Sequence, residues 1–192
     1  MARGTSLLVF GVAAAIVAGC NGGNDSLMPM KKGAKWEYQM RMGLASTVDR
    51  WSVTGPARVG GDMGWEISGP GGTSRLGWSG GQLRAQMLAG TTYMPPVTLL
   101  DSSLKEGNTA KWSGMVTVAS RRYDAKAQLN QSTEKFKVAG RNLTVTRCEL
   151  ELSINGKSTT VTTWFAPSIG IVRQEERSGD QLLRSIEYLQ GP

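Results

Sequence analysis

The strongest constraint on the fold is a strict alternation of apolar and polar residues in the segment 34–42. The apolar positions are Ala34, Trp36, Tyr38, Met40 and Met42, and the polar ones between them are Lys35, Glu37, Gln39 and Arg41. Because successive side chains of a β-strand point to opposite faces, this spacing predicts a strand with one face in a core and one in water. On a helix the same apolar residues would be scattered around the cylinder.

Further strand-like segments follow, and turn-forming residues separate them. The predicted strands are 46–54, 64–68, 73–78, 82–87, 110–118, 123–129, 135–138, 143–154, 159–165, 169–175 and 181–189. Asn155-Gly156 joins two of them and is a strong hairpin signal. No convincing amphipathic helix follows the first twenty residues, and without helical crossovers a parallel sheet is disfavoured. The pattern therefore predicts an all-β fold, an antiparallel curved sheet that forms an open (half) barrel or a sandwich.

The first twenty residues have the layout of a secretory signal peptide. Arg3 provides a positive charge, an apolar run follows, and the segment ends in Val-Ala-Gly-Cys at positions 17–20. This ending resembles the lipobox of bacterial lipoproteins, which implies cleavage before Cys20 and acylation of that cysteine, as by palmitate. The apolar run of about 13 residues is shorter than the roughly 20 that a spanning helix needs. An unlipidated secreted protein is the alternative interpretation.

These features predict the domain organisation. Residues 1–19 form the lipoprotein signal peptide, residues 20–27 a flexible tether that carries the acylated Cys20, and residues 28–192 a single β-rich domain. The tether is rich in Gly, Asn and Ser, which suits a flexible linker. Two pseudo-repeats within the domain, about 28–95 and 97–192, are also predicted.

The pseudo-repeats rest on a weak internal similarity. A Lys and then a Gly precede each of the pairs Lys35-Trp36 and Lys111-Trp112, although the gap between the Gly and the pair differs by two residues. In each case a glycine turn would lead into a strand whose first large side chain is a buried Trp. Chance similarity is the alternative.

Three segments carry a resemblance to a known group. Residues 30–38, 104–112 and 163–174 are similar to the early "PLKxGxxWxY" and late "tWYAPGVGlVk" motifs of bacterial exported β-rich proteins of unknown function. Phe165 replaces the usual Tyr, and Ser168-Ile169 replaces Gly-Val. The resemblance implies an exported β-domain and transfers no catalytic residue. More distantly, it implies a half-barrel like that of lipoprotein carriers, which is an analogy of fold alone.

The late motif also has a direct structural interpretation. Trp164 and Phe165 end a strand, and Pro167 stops its pairing because proline has no N–H to donate. Gly170 then permits a close backbone approach as the next strand begins. We predict a structural corner at this point, with a ligand-contacting loop as the alternative.

The charge balance excludes some partners. The chain carries a formal charge of +7, but most basic residues occur singly along strand-like segments, and the tight basic pairs are Lys31-Lys32 and Arg121-Arg122. This pattern is typical of a solvated strand face. We therefore expect no nucleic-acid partner, and only a weak attraction to anionic lipid.

Candidate catalytic groups are scarce. The chain has no histidine, so a Cys-His nucleophile is excluded, and with Cys20 acylated Cys148 has no disulfide partner. Cys148 shares its alternate positions with Leu150 and Leu152, which predicts a small buried apolar residue. The carboxylates form no cluster suited to acid–base catalysis or calcium binding. We expect no enzymatic activity, no metal and no cofactor.

The remaining candidate feature is the content of aromatic and methionine residues, with six Trp and nine Met. They form either a β-core or a concave apolar pocket. For a pocket, the predicted lining residues are Trp36, Tyr38, Met40 and Trp112. The sequence thus predicts an exported envelope lipoprotein, lipid-anchored to a bacterial membrane, that binds a hydrophobic or lipidic ligand or an envelope partner. A purely structural or interaction module is the alternative.

Overall fold

The computed structural model describes residues 25–192, and the twelve strands in this part of the chain belong to one sheet. The strands are β1 (Lys35–Met42), β2 (Ala45–Val59), β3 (Asp62–Gly69), β4 (Gly72–Ser79), β5 (Gln82–Leu88), β6 (Thr91–Asp101), β7 (Thr109–Val118), β8 (Arg121–Val138), β9 (Arg141–Ile154), β10 (Lys157–Ala166), β11 (Gly170–Ser178) and β12 (Gln181–Gln190). The predicted signal peptide and Cys20 lie outside the described residues.

The sheet closes on itself. Each strand pairs antiparallel with the next, and β1 pairs with β12 through a ladder that runs from Glu37↔Gln190 to Arg41↔Ser185. The all-β antiparallel prediction is confirmed. The sheet is a closed barrel, whereas we expected an open (half) barrel or a sandwich. Pairing the first strand with the last satisfies backbone groups that an open sheet leaves unpaired at its edges.

Strand β1 follows the predicted alternation as far as Met40, whereas Met42 at the end of the strand is 57% exposed. Trp36 and Tyr38 are fully buried, and Met40 is half-buried on the same face. Lys35 and Arg41 are exposed on the opposite face. The face predicted for the core therefore lines the barrel interior.

Large side chains fill that interior. Those with less than 2% exposure include Trp36, Tyr38, Phe165, Met28, Leu83, Leu100, Leu129 and Ile186. Cys148 is 2% exposed and packs in the same cluster, as the alternation in its strand predicted. The interior is thus an apolar core.

A second, smaller cluster lies on the outer face of β8–β11. Val145 belongs to it and is three residues from Cys148, so the two point to opposite faces of β9. Trp164 likewise belongs to the outer cluster, whereas the next residue, Phe165, belongs to the interior one. The two aromatic residues of the predicted corner, Trp164 and Phe165, therefore pack in two different hydrophobic clusters.

The predicted hairpin at Asn155-Gly156 is confirmed. Asn155 has φ +50° and Gly156 has φ +75°, and Ile154 pairs with Lys157 on either side of them. Two consecutive residues with positive φ match the right-handed twist of the strands that they join, and Asn-Gly is the pair that most readily adopts them.

Most strands extend one to three residues past their predicted bounds, and β2 and β8 differ by more than that. Strand β2 continues past Gly55-Pro56 to Val59, because a register shift between Val53 and Gly55 absorbs the irregularity. Strand β8 joins the two predicted segments 123–129 and 135–138, and the polar residues between them pair with β9.

Strand β6 is absent from the predicted set, because Pro95-Pro96 falls at the boundary expected between the two pseudo-repeats. Both prolines lie inside β6. Proline cannot donate to a ladder, and β6 pairs with β7 only from Thr92 to Met94. The rest of β6 does not pair with β7. We call the unpaired stretch between residues 95–101 of β6 and 109–114 of β7 the seam.

Side chains span this seam. Gln131 of β8 donates from Nε2 to the carbonyl of Asp101 at 2.8 Å and accepts the Asp101 N–H at 2.6 Å. Trp112 donates from Nε1 to the Pro95 carbonyl at 3.2 Å. The Gln131 amide thus takes the place of a strand partner at the end of β6.

At the late motif, β10 ends at Ala166 and β11 begins at Gly170. Gly170 has φ +96°, and a Cβ at this position would lie 3.0 Å from Met28 Sδ. Asp25–Leu27, which we predicted as tether, forms a 3-10 turn instead, and the Ser26 carbonyl accepts a hydrogen bond from Ser168. The reason is that Leu27 packs against the main core and brings the turn with it.

Candidate functional site: two grooves on the outer face

The residues predicted to bind a ligand belong to the main core but form two separate aromatic groups. Trp36 and Tyr38 are fully buried, whereas Met40 and Trp112 are half-buried. The Tyr38 ring lies 4.9 Å from the Trp51 ring, between centroids. The three residues of β1 share one face, and Trp112 lies on β7 beside the seam.

The β1 group contains a buried polar atom without a partner. The Tyr38 hydroxyl makes no hydrogen bond with any described residue. Burial raises the pKa of Tyr38 far above its ordinary value, and the nearby Tyr188 adds to that shift. The hydroxyl therefore stays protonated, which leaves an unused donor inside the barrel.

The Trp112 group packs around the seam. The rings of Tyr93 and Trp112 meet edge to face, with centroids 6.2 Å apart. Burial raises the pKa of Tyr93 to about 12, and the Glu176 carboxylate contributes to that rise. Trp112 hydrogen-bonds to Pro95 and so has a structural role at its present position.

Two grooves of the described residues lie on the outside of the barrel, and neither is lined by the four residues predicted to bind a ligand. We call the first the methionine groove; it has a volume of about 770 Å³. Its lining residues are Met94, Ser113, Gly114, Met115, Asp124, Ala125, Lys126, Ser153, Asn155 and Gly156. It crosses β6–β9 next to the paired part of β6 and β7.

The methionine groove places two exposed apolar side chains next to each other. Met94 is 61% exposed and Met115 is 38% exposed. They are direct cross-strand partners, and Met115 is in turn the partner of Asp124 on β8. Since partners in a ladder project from the same face, these three side chains form one row across three strands.

We call the second the tryptophan groove; it has a volume of about 530 Å³. Its lining residues are Glu134, Phe136, Arg147, Glu149, Thr160, Thr162, Trp164, Arg173, Glu175, Arg177 and Gly179. The Trp164 ring stacks on Phe136 at 6.1 Å, and the guanidinium carbons of Arg147 and Arg173 lie 5.8 and 5.2 Å from the same ring. Trp164 is 8% exposed, so its faces are already covered.

The charges of the tryptophan groove neutralise one another. Arg147 pairs with Glu149, and Arg173 and Arg177 both pair with Glu175. Burial alone would raise the pKa of Glu175, but hydrogen bonds from the two arginines outweigh it and hold that pKa below its ordinary value. The groove is therefore a stabilised charge network on the barrel wall, and it presents little unpaired charge to a ligand.

Among the described residues, the His, Cys and carboxylate ligands typical of many metal sites are not clustered, and the described thiol is buried. Within residues 25–192 no three His, Cys, Asp or Glu side chains come together to hold a metal ion. Burial raises the pKa of the Cys148 thiol, which makes it a poor nucleophile. In the same part of the chain, no helix has the length and hydrophobicity needed to cross a membrane.

Sequence reasoning missed the methionine groove. Met94 and Met115 are among the nine methionines of the chain, but the row that they form depends on the pairing of β6 with β7. Without β6 in the predicted set, no pattern in the sequence places these two side chains side by side.

Comparison with known proteins shows the fold. No family model and no curated protein matches the chain. A candidate lipoprotein from Parabacteroides distasonis has a similar structure, with a TM-score of 0.56 and 11% identity over 86% of this chain and 98% of that one. A candidate exported protein with a YmcC-like fold from Bacteroides fragilis has a TM-score of 0.51 and 14% identity over 84% and 96%. The chain therefore shares its β-rich fold with a candidate lipoprotein and a candidate exported protein.

Proposed function

We propose that the protein is an exported, lipid-anchored envelope protein that binds a partner protein on the outside of its barrel. The observation that carries this proposal is the location of open space: large apolar side chains are fully buried in the interior, and the larger of the two grooves described above lies on the outer face. The lipobox-like ending at Cys20 and the fold shared with a candidate lipoprotein support the location.

The filled interior argues against a carrier of large ligands. Trp36, Tyr38 and Phe165 are each no more than 1% exposed. Protein cores are packed as densely as organic crystals, so an acyl chain could enter only by displacing such groups. A binding role is therefore assigned to the surface.

The methionine groove has the properties of a contact surface. Methionine side chains are flexible and polarisable, so they adapt to the shape of a partner. Met94 and Met115 would lose exposed apolar area on contact, and each buried Å² contributes roughly 25 cal/mol before the costs of association. Asp124 and Lys126, both exposed, flank the methionines and would fix the orientation of a partner.

Binding rather than catalysis is part of the proposal. Many described glutamates are engaged in ion pairs with arginine; these are Glu37, Glu66, Glu149, Glu175 and Glu176. Hydrogen bonds from Gln190 and Arg50 hold the pKa of Glu37 below its ordinary value, and those from Arg173 and Arg177 do the same for Glu175 despite its burial, so these two carboxylates make poor proton donors.

Anchoring is tested by replacing Cys20. The Cys20→Ser variant removes the acceptor thiol, so we expect it to leave the membrane fraction while the wild-type protein remains there. The Cys148→Ala variant, which removes the other thiol without burying a hydroxyl, serves as the control and should stay with the membrane. Equal membrane retention of Cys20→Ser would overturn the anchoring part of the proposal.

Partner binding is tested by photo-crosslinking in cells. A benzophenone side chain at Ser113, which lies in the methionine groove, should give one adduct of fixed mass. The control position is Ser68, an exposed serine on the outer face of β3. The adduct should disappear with Met115→Glu, and an adduct of the same intensity from Ser68 would contradict the groove as the contact site.

A hydrophobic or lipidic ligand inside the barrel is the second candidate function. The unpartnered Tyr38 hydroxyl favours it, because buried polar groups in native proteins usually have a partner. The polar end of a ligand, or a water molecule, would supply that partner. A ligand that remains bound during native mass spectrometry distinguishes this function from the first.

A further inference from the structure

We propose that Met94, Met115 and Asp124 form a binding site for a soft monovalent metal ion, Cu(I) or its analogue Ag(I). The inference goes beyond partner binding, since the site would be complete without a second protein. It rests on the juxtaposition of two thioethers and one carboxylate in a single cross-strand row.

The register brings the donor atoms together. Met94 pairs directly with Met115, and Met115 pairs directly with Asp124. Directly paired residues have Cβ atoms about 4.5–5.5 Å apart. Because the methionine side chain is unbranched and has three rotatable bonds, both sulfur atoms can turn toward one point between the strands.

The side chains are accessible and not committed elsewhere. All three line the methionine groove, and Met94 and Met115 are 61% and 38% exposed. Asp124 forms no ion pair with any described residue. An ion could reach the row from solvent without displacing the core.

The donor chemistry selects the ion. Thioether sulfur is a soft, uncharged ligand that suits Cu(I), whereas Mg²⁺ and Ca²⁺ require several oxygen donors. Lys126 lies on the same face of the groove, and its positive charge disfavours a divalent ion more than a monovalent one. Asp124 would balance the single charge of a monovalent ion.

The location of Met94 and Met115 on the outer face argues against a role in core packing alone. The interior has its own full set of buried apolar side chains, and Met94 and Met115 contribute nothing to it. The groove also contains Asn155, whose amide oxygen is a further donor on the adjacent hairpin.

The test is a titration of the detergent-solubilised protein with Ag(I) in chloride-free buffer, followed by calorimetry. We expect one ion to bind per chain. Met94→Leu and Met115→Leu should each weaken binding at least tenfold, because leucine keeps the apolar volume but removes the sulfur. Met63→Leu is the matched control, since Met63 is 58% exposed on β3 and should leave the affinity unchanged.

A second measurement follows the methionine methyl groups by NMR. The Met94 and Met115 signals should shift together during the titration while the Met63 signal stays in place. Zn²⁺ at the same concentration should shift none of them. The inference is overturned if Ag(I) binding survives both leucine substitutions, or if Met63 responds as strongly as the groove methionines. Thermal unfolding of each variant checks that the fold is retained.

Discussion

Burial sets the chemistry of single residues in this barrel, and Cys148 is the clearest example. The thiol is 2% exposed inside the main core, and burial raises its pKa above the ordinary value. Thiolate is the reactive form, so the native thiol is both inaccessible and protonated. The alternation with Leu150 and Leu152 was sufficient to predict this environment from the sequence.

Cys148 should therefore resist alkylation in the folded protein. In a Cys20→Ser variant, where it is the remaining thiol, we expect iodoacetamide to label it at least a hundredfold more slowly in buffer than in urea. A raised pKa means that little thiolate forms as pH increases, so labelling should stay slow up to pH 9. Rapid labelling without denaturant would show that the strand around it opens.

The hydrogen-bonding state of the Tyr38 hydroxyl could not be predicted from the sequence. The inward direction of Tyr38 followed from the pattern of β1, but the missing partner of its hydroxyl depends on atoms from distant strands. An unsatisfied buried polar group costs about 1–3 kcal/mol.

Tyr38→Phe should raise the free energy of unfolding by about 1 kcal/mol, because it removes the unsatisfied hydroxyl and keeps the ring. Tyr38→Ala is the comparison, and the cavity that it leaves should cost about 3–5 kcal/mol. Urea denaturation measures both. A clear loss of stability in Tyr38→Phe would mean that the hydroxyl has a partner, and would favour the interior-ligand function.

Among the elements, β6 and its seam determine where the outer surface is irregular. Strands with clean alternation and flanking glycine turns were predicted within a few residues. Strand β6 was missed because Pro95-Pro96 normally ends a strand. Here the strand continues, and its side facing β7 has no backbone ladder beyond Met94. The side-chain bonds of Gln131 to Asp101 replace part of that ladder, and no local pattern indicates such a long-range substitution.

Gln131→Ala should lower the free energy of unfolding by about 1–3 kcal/mol, since it leaves the backbone N–H of the buried Asp101 without its side-chain acceptor and removes one of the two donors to the Asp101 carbonyl, the other being the Leu104 N–H. Gln128→Ala is the matched control on the exposed face of the same strand and should change stability by less than about 0.5 kcal/mol. Faster amide exchange at Asp101 in the first variant would locate the effect. Equal stability of the two variants would contradict the bridging role.

At the scale of the whole molecule, twelve antiparallel strands close around an apolar core and leave open space outside it. The all-β class was predictable because alternation is a local property. Closure of the barrel was not predictable, because the pairing of β1 with β12 joins residues about 150 positions apart, such as Glu37 and Gln190. The same limitation applies to the methionine groove, which exists only once four strands lie side by side.

The most direct test of the account is the native mass of the protein purified from envelope membranes in mild detergent. We predict a single mass, that of the acylated chain, with the same value under native and denaturing conditions. A non-covalent lipid of fixed mass that is present in the native spectrum and lost on denaturation would contradict a filled interior, and with it the assignment of binding to the outer face.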